Sequence, residues 1–278
     1  MTQGENIAVA SPTRHPAVAG RFYPRDPHDL RTEVQSYLSP PLETVSALGC
    51  VVPHAGYIYS GHVAGAAYAR LALPRRCILM CPNHTGMGHP LAIMSTGAWE
   101  TPLGQVSIDA ALGADLKQRF PLLGEDEEAH RAEHGAEVQL PFLQAKNPDC
   151  TFVPIALGTS RFEVLQALGI VIADSVKALA EPVLLIASSD MNHYENDTIT
   201  RVKDYKAIER ILVMDAHGLY DVVMNENISM CGFGPTVVML TAARRLGATG
   251  TELVRYATSG DVSGDREHVV GYAGILVR

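Results

Sequence analysis

Three short apolar runs in this sequence end alike, and the residues at their ends are the ones equipped for chemistry. Val51-Val52 runs into Pro53-His54-Ala55-Gly56-Tyr57, Cys77-Ile78-Leu79-Met80-Cys81 into Pro82-Asn83-His84, and Val183-Leu184-Leu185-Ile186-Ala187 into Ser188-Ser189-Asp190-Met191-Asn192-His193. Imidazole binds transition metals and moves protons near neutral pH, while a carboxylate serves as ligand or holds an imidazole in place. His54 and His84 are thus candidate metal ligands, Asp190 a candidate ligand or brace, and His193 a candidate proton carrier. Cys231 joins them because it precedes a helix expected to open at Pro235, and the positive end of a helix lowers a thiol's pKa toward the thiolate that metals bind. One such histidine alone is an ordinary hydrogen-bonded loop residue; three at equivalent places point to a site.

Such side chains meet only if the elements carrying them aim at one point. In open α/β sheets that point is the crevice outside the carboxyl ends of the strands. Runs 48–52, 77–81, 151–157 and 183–187 read as buried strands, continuous and apolar as parallel strands are. Helices are expected between them: 29–38, started by Asp26 as cap and Pro27, then 62–73, 109–120, 127–144, 162–179, one or two within 200–225, and 236–246. Strands at 91–95, 105–108, 252–258 and 268–277 complete an α/β chain. Residues 17–24 carry no clear pattern. No repeat or linker divides the chain, so residues 13–278 read as one domain after a flexible arm at 1–12.

Composition narrows the partners. Among 278 residues 47% are hydrophobic and 19% charged, which suits a globular core, and a net charge of −8 without a Lys/Arg cluster argues against nucleic acid. A small-molecule substrate, a peptide or a protein partner is expected instead. Five cysteines form an odd set with several in apolar runs, which is no disulfide framework. The first residues lack a secretory pattern, and no run approaches the ~18 apolar residues of a membrane span. A cytoplasmic location without membrane contact is the expectation.

A second cluster competes with the first. His130 and His134 stand four apart in His130-Arg131-Ala132-Glu133-His134-Gly135-Ala136-Glu137, on one face if the expected helix 127–144 is continuous. The string matches a zinc-peptidase pattern, His-x-x-Glu-His. Five acidic residues between Glu125 and Glu133 suit a solvated charged face equally well. A supporting role is the more attractive one, with His134 or Glu137 entering the crevice to fix a ligand. Tyr57, Tyr59, Tyr194 and Trp99 are candidates for an aromatic pocket, although core packing is the commoner fate of such residues. Neither a Gly-x-Ser-x-Gly elbow nor a phosphate-cradling glycine loop is present.

Taken in order, Val18-Ala19-Gly20-Arg21-Phe22-Tyr23-Pro24, Pro53 to Gly61, Pro82-Asn83-His84, Glu133-His134 with Gln139-Leu140-Pro141-Phe142-Leu143, Ser188-Ser189-Asp190 with His193-Tyr194, and Cys231-Gly232 resemble the Memo family, the AmmeMemoRadiSam system protein B group. The resemblance spans nearly the whole chain. It implies a fold similar to class III extradiol ring-cleaving dioxygenases, a mixed central β-sheet flanked by helices on both faces. It also implies iron or copper as cofactor, Fe(II) if the chemistry is dioxygenase-like and zinc as a further option, with His54, His84 and Cys231 as ligands beside Asp190 and His193. Those dioxygenases hold Fe(II) with two histidines and a carboxylate, so a thiolate departs from their pattern and leaves open whether Cys231 or Asp190 is the third ligand. The expected function is redox or dioxygenase-type chemistry on a small substrate. The alternative is a non-catalytic module that offers the same pocket to a peptide or protein, and a zinc hydrolase centred on His130 and His134 ranks below both.

Overall fold

The computed structural model describes residues 12–278, so the arm expected at 1–12 lies, apart from Pro12, outside the described residues. The four continuous apolar runs make the middle of one sheet. They are β2 (Gly49–Val52), β3 (Arg76–Pro82), β8 (Thr151–Leu157) and β9 (Val183–Ser188), lying side by side and parallel in the order β2-β9-β3-β8. Successive side chains go to opposite faces, as the pleat requires. Val51, Ile78, Met80, Leu185 and Ala187 enter one core, while Cys50, Val52, Cys77, Leu79, Cys81 and Ile186 enter the other. Burial on both faces explains why these runs show no polar alternation.

The edges make the sheet mixed. On the β2 side β12 (Val269–Val277) runs antiparallel and pairs with β10 (His193–Glu195) and β11 (Thr251–Thr258). On the β8 side β4 (Leu91–Ile93) is antiparallel and carries β7 (Gly124–Glu125). A small separate sheet joins β1 (Thr13–Arg14), β5 (Ala98–Thr101) and β6 (Gly104–Ser107). One face of the large sheet packs against α3 (Ala110–Arg119), α6 (Phe162–Lys177), α7 (Asp197–Leu212), α8 (Ala216–Asn225) and α9 (Phe233–Leu246), and the other against α1 (Pro27–Tyr37), α2 (Tyr57–Arg70) and α5 (Leu140–Lys146). Among the described residues no helix is long and apolar enough to cross a membrane.

Three expectations need correction. The helix read across 127–144 is broken into α4 (Glu128–Arg131), a turn, a 3-10 segment at Glu137–Gln139 and α5. Glu133 and Glu137 lie in the broken stretch and are fully buried, each bound to partners far along the chain, which a continuous solvated helix would not allow. Helix α2 begins at Tyr57, five residues before the expected start, with Gly56 as its cap. Helix α9 begins at Phe233 with Gly232 as its cap, placing Pro235 within the first turn, where its missing N–H costs nothing. A four-residue helical turn, α10 (Gly260–Ser263), lies between β11 and β12.

Candidate metal centre

Register brings the histidines together. Val52 pairs with Ser188 and Met80 with Ala187, so β2, β9 and β3 end at one level and the residues beyond them emerge at a common edge. Pro53 cannot extend the ladder, and the chain turns through His54 into α2. Cys231 arrives from the opposite side, on the loop before α9. There Gly232 lies so close to Ser188 O and the Ser189 side chain that a Cβ would collide with both, and its N–H donates to Ser189 Oγ at 3.0 Å. The result is three donors, from His54, His84 and Cys231, all within 4.8 Å of one another. Cys231 Sγ is 3.1 Å from His54 Nε2.

Each imidazole is held through Nδ1. His54 Nδ1 lies 2.9 Å from Ser188 Oγ, and His84 Nδ1 2.8 Å from Glu133 Oε1. Glu133 is fully buried and also accepts the N–H groups of His84 at 2.7 Å and Gly135 at 2.8 Å. Burial alone would raise its carboxyl, but the hydrogen bond and charge of His84, with Gly135 and His134, outweigh it and hold it down at about 2. His54, only 1% exposed, is pushed down to about 3 by burial and by His84 nearby, so it is a neutral imidazole in water at pH 7. His134 enters the same cluster. Its ring stacks on His84 at 4.6 Å between centroids and stands perpendicular to His54, and burial with the neighbouring His54 lowers it to about 4.

Asp190 and Cys231 separate by their contacts. Asp190 Oδ1 accepts the backbone N–H of His54 at 2.7 Å and of Ala55 at 3.2 Å, clamping the loop, while burial raises its carboxyl. The metal-free Cys231 thiol is not lowered by α9, as the sequence suggested: burial, followed by the charge of Asp190, pushes it well up. His193 donates Nδ1–H to Ser229 O at 2.7 Å, and its Nε2 has no hydrogen-bond partner among the described residues; it lies near enough to His54 and Asp190 to perturb both. Tyr194 beside it is 74% exposed and holds a left-handed backbone, φ 62°, which is strained for a tyrosine.

Other candidates stand elsewhere. Glu137 does not reach the crevice, because its two oxygens accept from Arg14, the Ala17 and Val18 N–H groups and the Tyr23 hydroxyl, fastening the N-terminal segment to the broken helix. Tyr57 is buried with its hydroxyl donating to Val138 O at 2.6 Å, so it packs the core instead of lining a pocket. Trp99 is buried under the Arg14 guanidinium and beside His130. Among the described residues His130 belongs to no cluster of donors, and the break in the helix removes the shared face that a zinc site with His134 needs. Sequence reasoning missed Glu133 and Ser188 as the residues that hold the imidazoles. The Glu133-His134 doublet was the available signal for the first, since a carboxylate next to a site histidine can serve a different one.

Comparison with known proteins gives matches along nearly the whole chain. A sequence profile for Memo-like protein matches residues 14–276. A MEMO1 family protein of Methanothermobacter thermautotrophicus is 42% identical over 272 residues, covering 94% of this chain and 98% of its own. One from Methanosarcina barkeri is 44% identical over 266 residues, with 95% and 99% covered, and one from Methanopyrus kandleri 42% over 279 residues, with 95% and 99% covered. On this full-length similarity, the chain belongs to the Memo-like protein family.

Proposed function

We propose that this chain is a redox protein built on a non-haem iron or copper ion, held by His54, His84 and Cys231 and acting with oxygen on a small molecule, as dioxygenase-type enzymes do. The reading rests on one observation: two imidazoles and a sulfur from separate strand ends and a loop lie within 4.8 Å of one another. The donor chemistry fits. Both imidazoles have Nδ1 engaged, which leaves Nε2 as the ligand atom, and the orienting carboxylate on His84 is the usual partner of a metal-bound histidine. Imidazole with thiolate suits copper(I), zinc and iron; iron or copper in such a site supplies one-electron chemistry and open positions for oxygen or substrate.

The chain's own residues have distinct tasks in this reading. Cys231 gives up a proton on binding the ion, because a coordinating thiol is deprotonated. Asp190 fixes the loop that carries His54. His193, with Nδ1–H committed to Ser229, presents Nε2 as the base for a substrate proton, and neutral His134 offers a second acceptor beside His84. The test is protein purified without affinity-tag metals and loaded anaerobically with Fe(II) or Cu(I). Binding of nitric oxide or oxygen, and oxygen uptake with phenolic or thiol substrates, is expected for the wild type and lost in His54→Ala/His84→Ala. Absence of all three in fully loaded protein contradicts the proposal.

A second reading, a module that binds a peptide or protein, draws on the exposed Ile58, Tyr59 and Tyr194, which follow His54 and His193 closely in the chain. The same double variant separates the two. Loss of metal with partner binding intact supports the enzyme, and loss of partner binding without a catalytic defect supports the module.

A further inference from the structure

We infer that Ser188 and Gln139 are positioning residues that hold His54 in the one tautomer able to ligate through Nε2. This rests on the metal-centre reading and adds to it the residues that prepare the site before any ion arrives. The hydrogen positions follow from the partners. Gln139 Nε2 lies 2.9 Å from Pro53 O, a carbonyl that only accepts, so this end of the side chain is the NH2 group. Its Oε1 accordingly accepts the Tyr68 hydroxyl at 3.0 Å. The second amide proton is directed at Ser188 Oγ, 2.9 Å away.

Ser188 has a single proton to give. It goes to Gly135 O at 2.5 Å, again a group that only accepts. Toward its remaining neighbour, His54 Nδ1 at 2.9 Å, the hydroxyl can therefore only accept. His54 must carry its proton on Nδ1, which leaves the lone pair on Nε2, the atom 3.1 Å from Cys231 Sγ. His54, Ser188, Gln139 and Tyr68 are all buried, so bulk water does not replace a lost member. The Pro53 and Gly135 carbonyls at the ends of this network only accept, and a single arrangement of protons satisfies every member.

The test begins with the full-length metal-free protein and 15N-labelled histidine. The ring nitrogens of His54 are expected to show Nδ1 protonated and Nε2 bare; a protonated Nε2 overturns the inference. Ser188→Ala is expected to populate the other tautomer and to weaken Fe(II) binding about 10- to 100-fold, the usual cost of losing an outer-shell partner. Ser188→Thr, which keeps the hydroxyl, retains the wild-type pattern. Ser175→Ala, which removes a buried hydroxyl near the C-terminal end of α6, serves as control and changes neither. Unchanged tautomer and affinity in a folded Ser188→Ala contradict the assignment. If the wild type binds no Fe(II), the metal-centre reading fails on its own, while the spectrum of the metal-free protein still decides the relay.

Discussion

At the third corner of the proposed centre a thiol and a carboxylate compete by type, and their contacts differ. Asp190 spends Oδ1 on the N–H groups of His54 and Ala55, whereas the Cys231 sulfur faces His54 Nε2 at 3.1 Å. Cys231→Ser is therefore expected to abolish the thiolate-to-metal absorption of the Fe(II)- or Cu(I)-reconstituted, air-exposed protein and to weaken metal binding by at least about tenfold. Asp190→Ala is expected to keep that band and to lose stability instead, about 1–3 kcal/mol for the donors it strands. Anaerobic titration and chemical denaturation of the two variants check this, and a band that follows Asp190 reverses the assignment. The two histidines were legible in the sequence because an apolar run stopped by proline announces a strand end. The choice between Cys231 and Asp190 was not legible, since it depends on which atoms the folded loops turn inward. Glu133 was hidden for a related reason: its partner, His84, is 49 residues away, and among acidic neighbours it looked solvated.

At the scale of elements, the connections between helix and sheet decide how the site loops are held. Asp204 on α7 is buried; its Oδ1 accepts the Asn192 N–H at 2.8 Å and its Oδ2 the Tyr256 hydroxyl at 2.7 Å, tying the helix to the residue just before β10, which begins at His193, and to β11. Gly271 on β12 packs so tightly against this carboxylate that a Cβ there would collide with it. Burial outweighs these hydrogen bonds and raises Asp204 to about 7. The folded protein then binds the proton more tightly than the unfolded chain. Stability is expected to fall as pH rises from about 4 to about 7, by at most about 1.4 kcal/mol per unit from this group. Asp204→Asn, neutral throughout, should flatten that decline; urea denaturation at pH 5 and 7.5 measures it, and parallel profiles for the two proteins contradict it. Most strands and the long helices were readable from continuous runs and caps such as Asp26. The break within 127–144 was not, because apolar spacing there continues through residues whose carboxylates are drawn inward by Arg14 and His84.

For the molecule as a whole, four parallel strands fix the site and antiparallel edges close the sheet. The α/β class and the helices on both faces were legible, because only burial on both sides permits strands without polar alternation. The small sheet of β1, β5 and β6 went partly unread, its strands being too short to show a period. Since the donors come from β2, β3 and the α9 loop, an ion that binds only the folded chain should stabilise the entire domain, by about 2.7 kcal/mol at a hundredfold excess over Kd. The central claim is the ligand set, and its most direct test is an anaerobic titration of metal-free protein with Fe(II) or Cu(I), followed by metal content after desalting and by thermal melting. The account predicts one ion retained per chain and a raised melting temperature, both lost in His54→Ala/His84→Ala/Cys231→Ser. Retention of the ion by that variant, or failure of the wild type to bind one, would contradict it.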